Sequence, residues 1–236
     1  MDNKTGSHNE QILQLLTSAL GNDSNRILQP GSDAYTKNNG SYFSAFENEL
    51  QPAYIAKPTT AEQVASLVKA LGPRLVAGTC RIAIRGQGHA PFAGSANIDG
   101  ECCVTIDMRG LEGIRLSDHE NMVKIGVGET WESTYTEIEK YGKTTPGGRV
   151  GGVGVAGFIL GVVEFEVVLA SGQVVCANKH DRCDLWTALK GGLNNFGIVT
   201  SISIKTIEAT DIWGGITYYT PEASLRFLQH ACDFCL

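Results

Sequence analysis

Two glycine-rich stretches contain the residue types in this sequence that could bind a ligand. The first is Arg85-Gly86-Gln87-Gly88-His89, continuing to Gly94, and it directly follows a predicted strand. Glycine lets a backbone take positive φ and approach a ligand closely, so consecutive N–H groups can converge on an anion such as a diphosphate. An ordinary turn after a strand has a similar composition, so this stretch alone leaves both interpretations open.

The second stretch runs over residues 147–157 and is denser in glycine. Each glycine inside a helix or strand costs about 0.5–1 kcal/mol of backbone entropy, so a loop is expected here. A loop wrapped around a ligand and a flexible hinge both fit the composition. Neither stretch is a Walker loop, because no Gly-Lys-Ser/Thr follows, and the spacing differs from the Rossmann dinucleotide fingerprint.

Helices and strands surround these stretches without strict βαβ regularity, which favours an α+β fold over a doubly wound sheet. Residues 22–39 are polar and are predicted to form a loop. Thr59 and Thr60 are candidate caps for a helix that ends at Leu71, and Ser171-Gly172 predicts a hairpin. Apolar periodicity predicts further helices at residues 11–20, 131–141 and 184–190, and strands at residues 53–56, 81–85, 102–106, 122–127, 164–169, 173–176 and 197–207.

Composition excludes several classes of function. A net charge of -6 argues against nucleic-acid binding. The most apolar stretch, residues 150–163, is glycine-broken and shorter than the roughly 20 residues that span a bilayer. The N-terminus lacks the pattern of a signal peptide, so a cytoplasmic location and no membrane association are expected. The seven cysteines are an odd, scattered set, which favours free thiols, and the lone Cys232-x-x-Cys235 pair predicts no metal site.

Several segments occur in an order that closely resembles one family. They are RIAIRGQGHAPFAG, VTIDMRGL, residues 148–161, FEVVLASGQVV and DLWTALKGGLNNFGIVT. Together they resemble the PCMH-type FAD-binding domain of berberine-bridge-like and vanillyl-alcohol-oxidase-type FAD-linked oxidoreductases. The resemblance implies a domain of two α/β lobes at residues 41–208, after an N-terminal helix and loop at residues 1–40. It also implies FAD as cofactor and a small organic substrate from secondary metabolism.

The resemblance also assigns site residues. Residues 85–89 match the loop that cradles the FAD diphosphate, and His89 matches the residue that attaches the flavin covalently through its 8α carbon. Trp186, Lys190, Asn194 and Asn195 are interpreted as structural, and no catalytic residue is assigned. The predicted cofactor-binding residues are Arg85, Gly86, Gln87, Gly88, His89, Gly94, Gly148, Val153, Gly154, Gly157, Gly197, Ile198 and Val199.

The sequence departs from the family in two places. Relatives carry an additional segment, with a second flavin-linking cysteine, between the second glycine stretch and the strand that follows. Here Gly161 is followed at once by that strand, beginning at Val162, so at most one covalent bond, at His89, is expected. Relatives also continue into a substrate domain, of which residues 209–236 resemble only the start. The chain is therefore expected to be a truncated form with the substrate domain largely absent, and its own catalytic competence is left open.

Three hypotheses follow for function. The first is a FAD-dependent oxidoreductase that passes hydride to the flavin and then electrons to O2. The second is a repurposed, flavin-free member that acts as a non-redox cyclase or isomerase. The third is a non-catalytic partner that forms a homo- or hetero-oligomer over the apolar face left by the missing domain.

Overall fold

The computed structural model describes residues 3–23, 25–117, 121–158, 160–211 and 218–235. Two lobes, each built on its own sheet, precede the last of these segments. The sheet of the first lobe has four strands. Its three longer strands are parallel to one another, and the short edge strand is antiparallel to its neighbour. Their order across the sheet is β1 (Ile27–Leu28), β2 (Pro52–Ala56), β4 (Gly100–Asp107) and β3 (Arg81–Arg85).

Two long helices supply most of the apolar surface that covers this sheet. Helix α1 (Asn3–Leu20) buries Ile12, Leu16 and Leu20, which follow one another at intervals of four residues and so share one face. Helix α4 (Ala61–Val76) buries five apolar residues on its own inner face. Each fully buried leucine or isoleucine contributes about 1.5–3 kcal/mol of transfer free energy, so these two faces stabilise the lobe.

Helix α4 begins where the sequence predicts. The Thr60 hydroxyl accepts a hydrogen bond from the Gln63 N–H at 3.3 Å, and the Gln63 side chain accepts one from the Thr59 N–H at 2.8 Å. The helix ends at Val76 rather than at the predicted Leu71, and Pro73 lies in its last turn.

The second lobe is a five-stranded antiparallel sheet covered by two short helices, α5 (Trp131–Glu139) and α6 (Cys183–Leu189). Trp131 and Phe165 are fully buried at the centre of its core. A separate two-stranded ribbon pairs β7 (Lys143–Thr144) with β11 (Ile207–Glu208). The five strands lie in the order β5 (Ile114–Ser117), β6 (Met122–Gly126), β10 (Ile198–Lys205), β8 (Val162–Val168) and β9 (Val174–Asn178).

Apolar contacts fix one lobe against the other. Val168 and Ile198 belong to strands of the second sheet but pack in the core of the first lobe, and Val199 contacts both cores. Because interiors are close-packed, this shared surface defines one arrangement of the two lobes and hence the shape of the groove between them.

The predicted strands are confirmed with ends that differ by two residues or fewer, except that the last one is divided into β10 and β11. The predicted hairpin at Ser171-Gly172 joins β8 and β9. None of the described helices is long and apolar enough to cross a membrane.

One predicted loop is wrong. Residues 22–39 contain β1 and helix α2 (Asp33–Asn39), and α3 (Ala45–Asn48) follows. Ser32 caps α2 by accepting the Tyr35 N–H, and the Tyr35 hydroxyl donates to the Pro52 carbonyl oxygen at 2.8 Å. Burial of Tyr35 against β2 therefore orders a segment whose polar composition suggested a loop, and it raises the pKa of Tyr35 to about 12.

The C-terminal segment ends in helix α7 (Ser224–Cys235). The predicted start of a substrate domain, Ile212-Trp213-Gly214-Gly215, lies outside the described residues.

Candidate functional site

A groove lies between the lobes, at the carboxyl end of β3. One cavity of about 430 Å³ is lined by Ile84, Gly86 and Met108 from the first lobe and by Val127 and Val199 from the second. This size is within the range of cavities that hold small organic ligands, about 300–1,000 Å³. Most of its wall is apolar, and we call it the interlobe cavity.

A second cavity of about 670 Å³ adjoins the interlobe cavity, because Ile84 and Asn194 line both. It runs along β3 and under the loop at residues 93–99. We call it the edge cavity. Together the two provide an elongated space with one largely apolar part, as an extended cofactor with ring systems requires.

The first glycine loop leaves backbone donors without a protein acceptor. Throughout the described residues, no hydrogen bond is donated by the N–H groups of Gln87, Gly88, His89 or Ala90. Gly88 is buried, so its open N–H group would be costly unless a ligand or water satisfied it. Adjacent open donors beside a cavity suit the oxygens of a diphosphate, so the residues present fit the anionic part of FAD.

Gly88 is also a position that requires glycine. Its φ is +77°, and a Cβ there would lie 2.8 Å from the Tyr42 ring and 3.1 Å from Arg85 Nε. The Tyr42 and Arg85 side chains packed beneath the loop therefore restrict its shape.

Arg85 is the main support beneath this loop. The sequence predicts it as a cofactor contact, but the structure places its guanidinium fully buried, 3.6 Å from the Tyr42 ring centroid. Nη1 donates to the Asn38 carbonyl at 2.9 Å, and Nη2 donates to the Ser41 carbonyl at 2.9 Å. Burial lowers the pKa of Arg85. Its observed contacts fasten residues 38–42 to the loop.

The Asp107 carboxylate lies beside Arg109 and near Arg85, and its negative charge offsets theirs. Asp107 accepts from Arg109 Nε at 2.9 Å and Nη2 at 2.7 Å, and from the Asn38 amide at 2.8 Å. Burial alone would raise the pKa of Asp107, but the hydrogen bonds and charge of Arg109, with help from Asn38 and Arg85, hold it below its ordinary value. Asp107 is therefore an ionised partner for two arginines.

Gly94 has an internal partner that the sequence analysis missed. Its N–H donates to the carboxylate of Glu47 at 3.1 Å, and the Ala96 N–H donates to the same carboxylate at 2.8 Å. Glu47 is fully buried. This part of the loop does converge on an anion, but the anion belongs to the protein. The sequence signal was a glutamate in a short helix, α3, which by itself is uninformative.

His89 lies beside an aromatic residue, Phe43, that directly follows the segment held by Arg85. The His89 imidazole stacks on Phe43 with ring centroids 5.1 Å apart and planes 18° apart, and the Phe43 N–H donates to the Gly88 carbonyl at 3.0 Å. A Cβ on Gly152 would lie 3.9 Å from His89 Nε2, so the imidazole faces the second glycine stretch. His89 is half-buried and lies beyond Gly86, outside the residues that line the two cavities.

The second glycine stretch contacts the protein itself over most of its length. A Cβ on Gly148 would collide with the Trp131 indole, and one on Gly154 would lie 2.7 Å from the Gln87 side chain. The Val153 carbonyl accepts the Trp131 N–H at 3.0 Å. Gly157 differs, because nothing lies within 4 Å of its Cβ position and it lines the interlobe cavity.

Strand β10 and the glycine just before it place the remaining predicted residues in the two cavities. Gly197 and Val199 line the interlobe cavity, and Ile198 lines the edge cavity. Asn194, which the sequence analysis treated as structural, lines both cavities. Two of the other three residues given structural roles contact each other, with Lys190 Nζ 3.4 Å from the Trp186 ring centroid.

Three comparisons place this architecture among known proteins. A family model described as "FAD binding domain" matches residues 52–163. The FAD-dependent monooxygenase CTB5 of Cercospora beticola is 35% identical over 223 residues, which cover 87% of this chain and 42% of that protein. The FAD-dependent monooxygenase sdcF of Emericella nidulans is 32% identical over 94% of this chain and 49% of that protein.

Solved structures share the fold. BBE-like 1 of Physcomitrella patens matches with a TM-score of 0.72 and 25% identity, over 84% of this chain and 44% of that one. The xylooligosaccharide oxidase of Myceliophthora thermophila matches with a TM-score of 0.70 and 25% identity, over 84% and 43%. The chain thus spans about half the length of the relatives it matches.

The two lobes and the groove between them define a PCMH-type FAD-binding domain. The chain contains an FAD-binding domain similar to that of berberine-bridge-like, FAD-linked oxidoreductases, and the cofactor of such a domain is FAD. The α+β fold class predicted from the sequence is confirmed.

Proposed function

We propose that the groove between the lobes holds FAD and that the chain serves as the cofactor-binding part of an oxidoreductase acting on a small organic molecule of secondary metabolism. The observation that carries this proposal is the row of open backbone N–H groups at residues 87–90, placed beside an apolar cavity between the lobes. FAD, when bound, would accept a hydride from the substrate and would later pass the two electrons to O2.

The chain's own residues have separable tasks in this proposal. The open N–H groups bind the diphosphate, and the interlobe and edge cavities bind the remainder. Arg85 and Glu47 position the loop from beneath rather than contacting FAD. Gly157, Gly197 and Val199 form the apolar wall.

His89 is the proposed covalent attachment point for the flavin. Its stack against Phe43 restricts the imidazole to one plane, and its Nε2 points toward Gly152. A fixed ring favours bond formation because less orientational freedom is lost in reaching the reactive geometry. A single bond is proposed, since the sequence lacks the segment that carries the second attachment residue in relatives.

The substrate class is supported by the relatives rather than by this chain's own residues. The two curated relatives described above are fungal FAD-dependent monooxygenases. Since the chain covers 42% of the first and 49% of the second, groups that select the substrate there can lie outside the matched region. Activity toward a small organic substrate is therefore a proposal for the full functional unit.

An absorbance spectrum before and after acid precipitation tests the function. The protein is purified after expression with excess riboflavin, alongside His89→Ala. We expect a flavin band in both proteins, retained in the acid pellet only by the wild type. A band released by acid from the wild type would contradict covalent attachment while leaving FAD binding intact. A colourless wild type that takes up no added FAD would contradict the proposed function and favour a flavin-free role for the groove.

A further inference from the structure

A further cavity, of about 550 Å³, lies at the carboxyl ends of β2 and β4 in the first lobe. Lys57 directly follows β2, and Arg109 lies two residues after Asp107, the last residue of β4. Helix α2 contributes Lys37 from its last turn. We call this space the cationic cavity, because three basic residues from three separate segments line it. It shares no lining residue with the interlobe cavity or the edge cavity.

Positive charge around the cationic cavity exceeds negative charge. Asp107 is fully buried and accepts hydrogen bonds from Arg109 at 2.9 and 2.7 Å, so these two charges offset each other. Arg85 is a second buried cation near the same carboxylate. Glu112 is the other carboxylate of the lining, and it is exposed. With the two lysines, four cations therefore stand against two carboxylates, although the whole chain carries a net charge of -6.

The two lysines have no carboxylate partner in the described part of the chain. None of the ion pairs found there involves Lys37 or Lys57. Lys57 is half-buried, so water screens its charge less than that of a fully exposed lysine. An anion between the lysines would replace repulsion of like charges with attraction.

Arg109 retains donors for such an anion. A guanidinium carries five N–H groups. Nε and Nη2 of Arg109 donate to Asp107, and Nη1 donates to Ser41 Oγ at 3.1 Å, which uses three of the five. A phosphate group offers three acceptor oxygens and a charge of about -1.5 to -2 at pH 7. This charge and these oxygens match two unpaired ammonium groups and the remaining donors of Arg109.

The size and wall of the cavity favour a ligand with an organic part. Its volume is within the range of small-molecule sites, about 300–1,000 Å³, and is larger than a phosphate ion needs. Leu28 and Ala34 add apolar surface to the lining. Apolar surface of this kind stabilises a ligand whose own apolar atoms leave water on binding.

We propose that the cationic cavity binds a phosphorylated small organic molecule, with the phosphate group between Lys37, Lys57 and Arg109. The site is separate from the groove proposed for FAD and does not rest on the proposed function. It does border the support of the cofactor loop, because Asn38 and Ser41 line it and their carbonyls accept from Arg85.

Isothermal titration calorimetry at low ionic strength tests this assignment on protein saturated with FAD. Bound FAD occupies the open N–H groups at residues 87–90, so that they do not bind the probes. The probes are phenyl phosphate, orthophosphate and benzoate, which keeps the ring but replaces the phosphate with a carboxylate. The variants are Lys57→Gln and Lys37→Gln. Lys179→Gln is the matched control, because Lys179 is exposed in the second lobe, directly after β9.

We expect phenyl phosphate to bind more tightly than orthophosphate, and benzoate to bind at least about tenfold more weakly than phenyl phosphate. Each of Lys57→Gln and Lys37→Gln should weaken phenyl phosphate binding about tenfold, with Lys179→Gln like the wild type. A tenfold loss is about 1.4 kcal/mol, the size of one hydrogen bond to a charged group. Lys37 is exposed, so Lys37→Gln should melt at the same temperature as the wild type without probe.

The outcomes separate this inference from the proposed function. Phenyl phosphate that does not bind the wild type, or that binds both lysine variants equally well, would overturn the inference. An equal loss in Lys179→Gln would overturn it too, because the attraction would then be non-specific. Orthophosphate as tight as phenyl phosphate would overturn the organic part and assign the cavity to the free ion. A wild type that takes up no FAD but still binds phenyl phosphate through the two lysines would overturn the proposed function alone.

Discussion

The two glycine-rich stretches have similar compositions but use glycine for different purposes. The loop at residues 86–90 borders the interlobe cavity at Gly86, its N–H groups at residues 87–90 have no acceptor among the described residues, and buried side chains beneath it determine its shape. The stretch at residues 147–154 places glycines directly against Trp131 and Gln87. In the first, the absence of a Cβ gives access to a ligand. In the second, it gives access to the protein's own aromatic core. High glycine density therefore signals close approach without showing what approaches.

Substitutions in the loop and in the second stretch should therefore have different effects on stability and on cofactor binding. Changes beneath the loop should remove a buried support and destabilise the fold most. Changes in the stretch should divide into stability effects at Gly148 and cofactor effects at Gly157.

The largest effect is expected for Arg85→Ala. The substitution removes a fully buried cation together with its hydrogen bonds to the Asn38 and Ser41 carbonyls, which costs about 3–5 kcal/mol of unfolding free energy. Arg81, at the other end of β3, is exposed and donates to the Asp99 carbonyl at 3.0 Å. Arg81→Ala is the control and should cost about 0.5 kcal/mol or less. Urea unfolding measures both, and equal losses would show that Arg85 does not support the loop.

A smaller effect separates Gly148 from Gly157. Gly148→Ala should lower the unfolding free energy by about 1–3 kcal/mol, because its Cβ would overlap the Trp131 indole. Gly157→Ala should leave stability nearly unchanged, since nothing lies within 4 Å of its Cβ position. It should instead weaken FAD binding, by about tenfold if the added methyl costs 1.4 kcal/mol in the cavity.

Thermal unfolding and FAD titration of the two alanine variants check this contrast. If Gly148→Ala weakened FAD binding without a stability loss, the glycine would act as the resemblance predicts, as part of the cofactor wall. The double variant Trp131→Ala/Gly148→Ala supplies a further check, because the second substitution should cost little once the indole is removed.

The smallest effect concerns pH. The folded-state pKa of Asp107 lies below its ordinary value, so the ionised carboxylate stabilises the fold above the unfolded-state pKa of about 3.9. That contribution is lost as the pH falls through the folded-state pKa. Asp107→Asn should cost about 1–3 kcal/mol near pH 7, because it breaks buried hydrogen bonds to a charged partner.

The difference between Asp107→Asn and the wild type should begin to shrink below about pH 4, where the carboxyl of the unfolded chain becomes protonated, and it should be lost as the pH falls through the lower folded-state pKa. Urea unfolding at a series of pH values from neutral to acid measures it. A difference that stays constant over the whole series would mean that ionisation of Asp107 contributes nothing to the support beneath the loop.

Local signals predicted most of the fold because they are short-range. The alternation in β3 and β10 and the Thr60 cap of α4 depend on neighbours along the chain, and each is found where it was predicted. Helix α2 was missed because its order comes from Tyr35, whose burial against β2 depends on a contact distant in sequence. The strand periods identified the elements but contained no information on how the two sheets face each other.

The sequence by itself determined most of the longer helices and strands, the two glycine-rich stretches and, through resemblance, the FAD cofactor. Only the tertiary structure decided what each residue of those stretches contacts. Arg85 and Gly94 have types that suit an anion, yet Arg85 lies beneath the loop and the Gly94 N–H binds Glu47. Residue type limits the interactions that a side chain or N–H group can make, whereas packing between distant segments selects its partner.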